Sequence, residues 1–383
     1  MIVVAGHLCL DIIPDLSGSP SGATLADILR PGQLVNVGPA TLSTGGAVSN
    51  TGLALHRLGV PVRLMGKIGN DLFGQAIHAL ITQLSPELGE GLLVVPGETS
   101  SYTVIINTAG IDRTFLHCTG ANDTFDAADV DLEALTGVHI LHFGYPSLMR
   151  TMALYDGAAT TALMRRVKER GVTTSLDMSM PDPNGEAGRV DWRRMLANTL
   201  PFVDLFCPSI DEIRFMLRRP VSPENDRVSV DELEAIAAEL LDMGAAVVML
   251  KLGNRGLFLR TTADAARLAA CGAWQPIEPH RWQDQTLLTP CFDVDVRGTT
   301  GAGDCTIGGF LAALLHQQTP EAALTSAVGV GAHSVAAADA TSGIRPWADI
   351  QLRIDMGWAR LPLKIEGFDP SAWREVAPSV WGK

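Results

Sequence analysis

Short, largely apolar runs bounded by turn residues recur along the chain at Ile2–Ala5, Val62–Met65, Val138–Phe143, Val172–Leu176, Val203–Phe206 and Ala246–Leu250. Runs of this kind mark strands buried on both faces. Between several of them lie stretches with helical periodicity. Val48–Leu58 stops at Gly59, Ala153–Arg170 at Gly171 and Asp231–Met243 at Gly244, each stop using the tolerance of glycine for a left-handed backbone. Strand alternating with helix predicts an α/β fold, a three-layer α/β/α sandwich around a mostly parallel central sheet.

Two segments break the rhythm. Gln33–Ser43, and Ser101–Ile106 with Thr114–His117 across a polar turn, predict strands joined without helices. They form a small antiparallel sheet, within about residues 10–45 and 99–118, placed to cover a site as a lid. Residues 263–290, irregular and rich in Pro, Trp and Gln, read as a long surface excursion. The main domain is expected over 1–350. Residues 351–383 form a C-terminal extension in which Trp358, Trp373 and Trp381 anchor it to the body or to a partner chain.

Composition narrows the function classes. The 383 residues are 46 % hydrophobic and 19 % charged, ordinary for a chain with a large core, and the net charge is −13 without a basic run. Nucleic acid and anionic membrane are therefore not expected partners. Six scattered cysteines without CxxC spacing fit free thiols in a reducing compartment, and His7 and Asp11 interrupt the first apolar run before a secretory segment is complete, so a cytoplasmic protein is expected.

The most informative stretch is Asp293-Val-Asp-Val-Arg-Gly-Thr-Thr-Gly-Ala-Gly-Asp304, followed by an apolar helix. Its Val alternation predicts a strand running into a small-residue turn. Gly301, Ala302 and Gly303 leave backbone N–H groups open at a helix N-terminus, an arrangement suited to an anion such as phosphate. Asp304 would sit on the first helical turn, kept ionised by the helix dipole, where it reads either as a base accepting a hydroxyl proton or as an N-terminal cap. Asp293, Asp295, Gly298 and Asp304 also match calcium-loop positions, but Arg297 occupies a ligand position there.

A second constellation is Gly45-Gly46-Ala-Val-Ser-Asn50 opening a helix, with Asp11 just past the first strand. The diglycine lets a polyol approach the backbone, Asn50 offers donor and acceptor, and Asp11 accepts from adjacent hydroxyls. Each also has a plain reading, as helix-opening or turn residues.

Together these residues resemble the ribokinase-like, or phosphofructokinase B, family of carbohydrate kinases. The early Gly-Gly-x-x-x-Asn and late Thr-Gly-Ala-Gly-Asp are supported by Gly66-Lys-Ile-Gly69-Asn-Asp71-Leu-Phe-Gly74, Leu176-Asp177, Pro208-Ser-Ile-Asp-Glu212 and Lys251-Leu-Gly253-Asn-Arg-Gly256. The resemblance implies phosphorylation of a sugar hydroxyl by ATP with Mg²⁺. It makes Asp304 the general base, with Gly301, Ala302 and Gly303 as its anion hole, and Asp11, Gly45, Gly46 and Asn50 sugar contacts. Ser209, Lys251, Gly253, Gly256, Val328 and Gly331 would line the nucleotide, and Glu212 would organise magnesium, usually through water. Arg113, in the lid turn, is a candidate contact to an acidic or phosphorylated sugar.

Two departures stand out. Ser209 replaces the usual Asn of Asn-x-x-Glu, and Gly298 stands where an Asp often helps to bind a monovalent cation, so potassium activation is not implied. His142 and His333 read as packed rather than catalytic. Two rival readings remain: a nucleoside kinase on the same fold, marked by a larger apolar substrate pocket, and a catalytically weak sugar-binding or regulatory protein, for which Ser209 and Gly298 speak. No P-loop motif occurs, and Gly329-Val-Gly331 lacks a dinucleotide fingerprint. Free lid edges would suit a homodimer.

Overall fold

The computed structural model describes residues 1–16, 31–106, 114–219 and 227–383. In chain order the strands are β1 (Ile2–Gly6), β2 (Cys9–Asp15), β3 (Gly38–Gly45), β4 (Val62–Met65), β5 (Lys67–Gly69), β6 (Leu93–Val95), β7 (Tyr102–Ile106), β8 (Thr114–Cys118), β9 (Ile140–Gly144), β10 (Thr173–Asp177), β11 (Leu205–Phe206), β12 (Val247–Lys251), β13 (Leu257–Thr261), β14 (Thr286–Thr289), β15 (Arg374–Ala377) and β16 (Val380–Gly382). Ten of them form the main sheet, in the order β15-β16-β14-β13-β12-β11-β10-β9-β1-β4. Neighbours from β4 to β12 pair parallel, and β12 to β15 pair antiparallel.

The expected three-layer architecture is present, and β1 shows why. Its residues alternate between two cores: Ile2 and Val4 pack on the face covered by the helices Ala47–Arg57, Ala302–Leu315 and Pro320–Val335, while Val3 and Ala5 face Arg150–Glu169 and Val230–Asp242. Both faces are dry, so no polar alternation is possible. The chain passes from β1 outward to β4 on one side and from β9 to β12 on the other. The gap between the C-terminal ends of β1 and β9 is therefore the topological switch point, where open α/β sheets leave a crevice.

The lid is a second sheet of order β3-β2-β7-β8, and it is mixed rather than antiparallel: β2 and β7 run parallel, with Leu10 N–H donating to Ser101 O at 3.0 Å. No hairpin joins these two strands; both rise from the body at their N-terminal ends. Gly69 and Gly74 let the segment leading into β7 pack closely, since a β-carbon at either would lie 2.1 Å from a carbonyl oxygen, and Asp71 caps the next helix through Gly74 N at 2.7 Å. The sequence motif around Asp71 thus has a structural use.

Three expectations change. The helix Arg150–Glu169 is broken over Leu154–Gly157, with Tyr155, Asp156 and Gly157 all left-handed. Asp293–Arg297 forms no strand; Asp293 N–H bonds to Ala359 O and Arg297 N–H to Val335 O, so its partners are the C-terminal extension and a helix end. Residues 263–290 are not a surface excursion. Trp274 and Trp282 are 2 % and 1 % exposed and meet edge to face, with Trp282 touching Phe310 of the helix Ala302–Leu315. The extension joins the same body, because β16 pairs with β14 and Trp373 is buried. No helix among the described residues is long and apolar enough to cross a membrane.

Removing an aromatic ring from a dry core leaves a cavity that relaxes only partly. Trp282→Ala is expected to lower unfolding free energy by about 3–5 kcal/mol in urea denaturation; a loss under about 1 kcal/mol would place this residue at the surface after all.

Candidate active site

Two helices opened by glycine turns build the centre of the site. Gly46, with φ 86, starts Ala47–Arg57, and Gly301, with φ 69, starts Ala302–Leu315. The helices touch through small residues: a β-carbon on Gly301 would stand 3.0 Å from Asn50 Cγ and 2.5 Å from Ala340 Cβ, and one on Gly308 would stand 3.1 Å from Ala54 Cβ. At that separation Asn50 Nδ2 donates to Asp304 Oδ2 at 2.8 Å, and Thr51 Oγ1 donates to Asp304 O at 3.2 Å. The two glycine constellations converge.

Asp304 is the third residue of its helix and 1 % exposed. It is not a cap, since its carboxylate turns away from the first-turn amides and accepts from Asn50 and from Tyr145 Oη, which lies 2.7 Å from both oxygens. Burial raises its pKa, with Lys251, Asn50 and Tyr145 opposing the rise. The expected hold of the helix dipole is thus outweighed by desolvation. Of the neighbouring amides, that of Ala302 donates to Thr299 O at 3.3 Å, while Gly303 and Asp304 precede the first intrahelical bond, from Cys305 N–H to Gly301 O. Among the described residues the amides of Gly301, Gly303 and Asp304 have no hydrogen-bond partner and are open to an anion.

On one side of Asp304 lies a cleft of ≈ 420 Å³. Its rim includes Ser209, Glu212, Lys251, Gly253, Gly256, Val328 and Gly331, with Phe292, Val294, Val296 and Leu361 supplying apolar wall. The alternating valines that predicted a strand face this cleft instead. Gly256, with φ 102, lets the 253–256 turn press on β14, since a β-carbon there would lie 1.9 Å from Thr289 O. Ser209 and Glu212 form a capping box: Glu212 Oε2 accepts from Ser209 N–H at 2.7 Å and Ser209 Oγ from Glu212 N–H at 3.4 Å.

Lys251 lines the cleft but directs its ammonium at Asp177, 2.7 and 2.8 Å from the two carboxylate oxygens. Burial opposes its charge, yet Asp177, Glu212 and Asp304 more than offset this and raise its pKa. One ammonium thus serves three carboxylates. Glu212 is itself raised, first by burial. Among the described residues no group of three or more His, Cys, Asp or Glu side chains is placed to hold a metal.

On the other side, below the lid, Asp11 lies within β2 rather than in a turn, opposite Ser43, and Cys9 pairs with Gly45. A β-carbon on Gly45 would strike Asp11 Oδ2 at 2.3 Å, so the first glycine of the pair makes room for this carboxylate. The second, Gly46, lies under His7, whose Nδ1 would be 2.6 Å from a β-carbon there. A chain of polar contacts links the lid to the body: Cys9 Sγ to Asp11 Oδ1 at 3.4 Å, Cys9 Sγ to Thr103 Oγ1 at 3.7 Å, Thr103 Oγ1 to His117 Nδ1 at 3.0 Å and His117 Nε2 to His7 Nε2 at 3.3 Å. Arg113 lies outside the described residues.

Tyr145, His7, Thr103 and His117 escaped the sequence reading. His7 and Tyr145 follow the C-terminal ends of β1 and β9, the position a switch-point rule singles out once strand order is known. Thr103 and His117 carry no signal in sequence. His142 is a packed residue, its Nδ1 2.9 Å from Ser175 Oγ and its pKa pushed down to about 3, first by burial and then by Lys251.

The family model for pfkB family carbohydrate kinases matches residues 1–347. Among curated relatives, the chain is 24 % identical over 331 residues to the ATP-dependent ribose-1-phosphate kinase of Halopiger xanaduensis, covering 86 % of this chain and 90 % of that one. It is 23 % identical over 320 residues to Fructokinase-2 of Zea mays, covering 81 % and 79 %. Among solved structures, Arabidopsis thaliana ribokinase complexed with ribose and ATP superposes with a TM-score of 0.69 at 18 % identity, covering 92 % of this chain and 97 % of that one.

Asp11 provides a test of the electrostatics. Burial, with Asp304 adding to it and Cys9 and Thr103 opposing, raises its pKa to about 6. A carboxyl whose folded pKa exceeds its unfolded value destabilises the fold progressively as pH rises between the two, and fully above the folded one. Asp11→Asn is therefore expected to stabilise the protein by at most about 3 kcal/mol at pH 8 and not at all near pH 3.5, read from denaturation curves at the two pH values. Equal stability at pH 8 would contradict this.

Proposed function

Because the chain belongs to the pfkB family of carbohydrate kinases, we propose that it transfers the γ-phosphoryl group of ATP to a hydroxyl of a sugar or sugar-like alcohol, with Asp304 as general base. The observation that carries this reading is the position of Asp304, fixed by Asn50 on the lid side and opening on the ≈ 420 Å³ cleft on the other. A polyol bound below the lid would present its hydroxyl to the carboxylate while the nucleotide lies across the 253–256 turn with its base toward Val328 and Gly331. As the oxygen–phosphorus bond forms and ADP leaves, the hydroxyl proton passes to Asp304. A loose phosphoryl-transfer transition state asks mainly for alignment and late proton acceptance, which a buried carboxylate supplies. The amides of Gly303 and Asp304 would meet the charge on the transferred group.

Magnesium fits as an ion carried by the nucleotide phosphates. The carboxylate excess around Lys251 favours a divalent cation, yet among the described residues Glu212 is the only carboxylate on the cleft rim besides Asp304, so contact through water suits it better than a protein cage. Packing at 298 leaves no room for the Asp of cation-activated relatives, since a β-carbon there would lie 2.8 Å from Ala338 O. The polar lining of the lid side, Asp11, Thr103, His117 and Asn50, favours a polyol over the apolar face of a nucleoside base.

A panel of sugars, sugar phosphates and nucleosides, assayed for ATP-dependent phosphorylation, is expected to give turnover with a sugar. Asp304→Asn should cut kcat roughly 10²–10⁴-fold with little change in KM for ATP. Equal turnover by both proteins would remove Asp304 from the chemistry.

A further inference from the structure

Tyr145 follows β9 with φ 66 and ψ 42, a left-handed conformation that is costly for a residue with a β-carbon and a ring. Its neighbours impose it. A β-carbon on Gly144 would lie 2.0 Å from Ala47 Cβ, so the strand end is pressed against the glycine-opened helix. Tyr145 N–H then donates to Asp177 O at 3.3 Å, and Leu148 N–H donates to Tyr145 O at 2.9 Å. The left-handed turn aims the ring between the cleft and the residues around Asp11, with its centroid 5.9 Å from that of His7, and sets its hydroxyl 2.7 Å from both oxygens of Asp304.

We propose that Tyr145 is a positioning residue for the base: its phenol donates to Asp304 and fixes the plane of the carboxylate toward the acceptor hydroxyl. The proposal rests on the reading of Asp304 as base. Asn50 restrains the carboxylate through Oδ2 alone; a donor shared between both oxygens restrains Oδ1 as well and so fixes the plane from a second direction. The charged groups around Asp304 are Lys251, Asp177 and Glu212 toward the cleft and Asp11 toward the lid. Burial, with Asp304 and Asp177 adding to it, raises the phenol pKa well above its ordinary value, so Tyr145 remains a donor throughout the working range.

The test compares wild type, Tyr145→Phe and a protein with 3-fluorotyrosine at 145, which keeps the phenol and strengthens it as a donor. Tyr145→Phe is expected to lower kcat/KM at neutral pH roughly tenfold to hundredfold, the range for a lost hydrogen bond to a charged group. Its acidic limb should move to higher pH, because the base must be ionised and loses a donor that favours ionisation; affinity for a non-hydrolysable ATP analogue should stay within about twofold. The fluorinated protein should move the limb the opposite way, and it decides the matter if Tyr145→Phe fails to fold. Carboxyl titration by ¹³C NMR of labelled aspartate, with Asp304→Asn identifying the signal, reads the same effect without turnover and is expected to show a higher midpoint in Tyr145→Phe. An unmoved midpoint, or a Tyr145→Phe enzyme with the wild-type pH profile, would overturn the proposal. Undiminished activity of Asp304→Asn would instead refute the role of the base, leaving the titration to judge Tyr145.

Discussion

The structure depends on how closely two helices can approach. Asn50 and Asp304 are 254 residues apart in the chain, and the hydrogen bond between them exists because Gly301 and Gly308 present no side chain where the helix Ala47–Arg57 lies against Ala302–Leu315. A single methyl at 301 would both strain a left-handed backbone and collide with Asn50. The same contact sets the Asp304 carboxylate between Asn50 and the wall of the cleft. Positioning of this kind, rather than an unusual reactive group, is what phosphoryl transfer requires of a protein.

Close approach brings an electrostatic cost. Asp177, Glu212 and Asp304 share one ammonium, that of Lys251, and all lie in or beside a buried crevice. The Lys251–Asp177 pair is fully engaged, so Glu212 and Asp304 face the cleft with burial working against their charge. Such strain is tolerated where function selects for it. In the proposed reaction it would suit a site that meets a divalent ion and polyphosphate together, since the ion would relieve the carboxylates and the helix amides would meet the anion.

In the proposed reaction the small second sheet would answer a separate problem, that of excluding water from a transferable phosphoryl group. Its strands β2 and β7 rise in parallel from the body beside Asp11, and the contact between His7 and His117 joins the body to β8. The residues around Asp11 are thus divided between the end of the main sheet and the second sheet, while Asp304 and Asn50 belong to helices packed on the main sheet. Tyr145 stands at the boundary, on the rigid side.

What the sequence determined by itself were the features written in local pattern. Unbroken apolar runs specified strands dry on both faces, glycine stops placed helix ends at Gly59, Gly171 and Gly244, and small residues before Asn50 and Asp304 marked two open helix starts. Patterns whose meaning depends on a distant partner were decided by tertiary structure. The valines around Asp295 alternate like a strand but line a cleft, because Ala359 O and Val335 O take the flanking amides of Asp293 and Arg297 in place of a neighbouring strand. Trp274 and Trp282 read as surface yet fill a core beside Phe310. The hydroxyl of Tyr145 and the imidazole of His117 reach the site only through strand order and sheet pairing. Periodicity reports which face of an element is dry; which element lies across from it is a matter of packing and topology, and that is where the remaining side chains of the site were chosen.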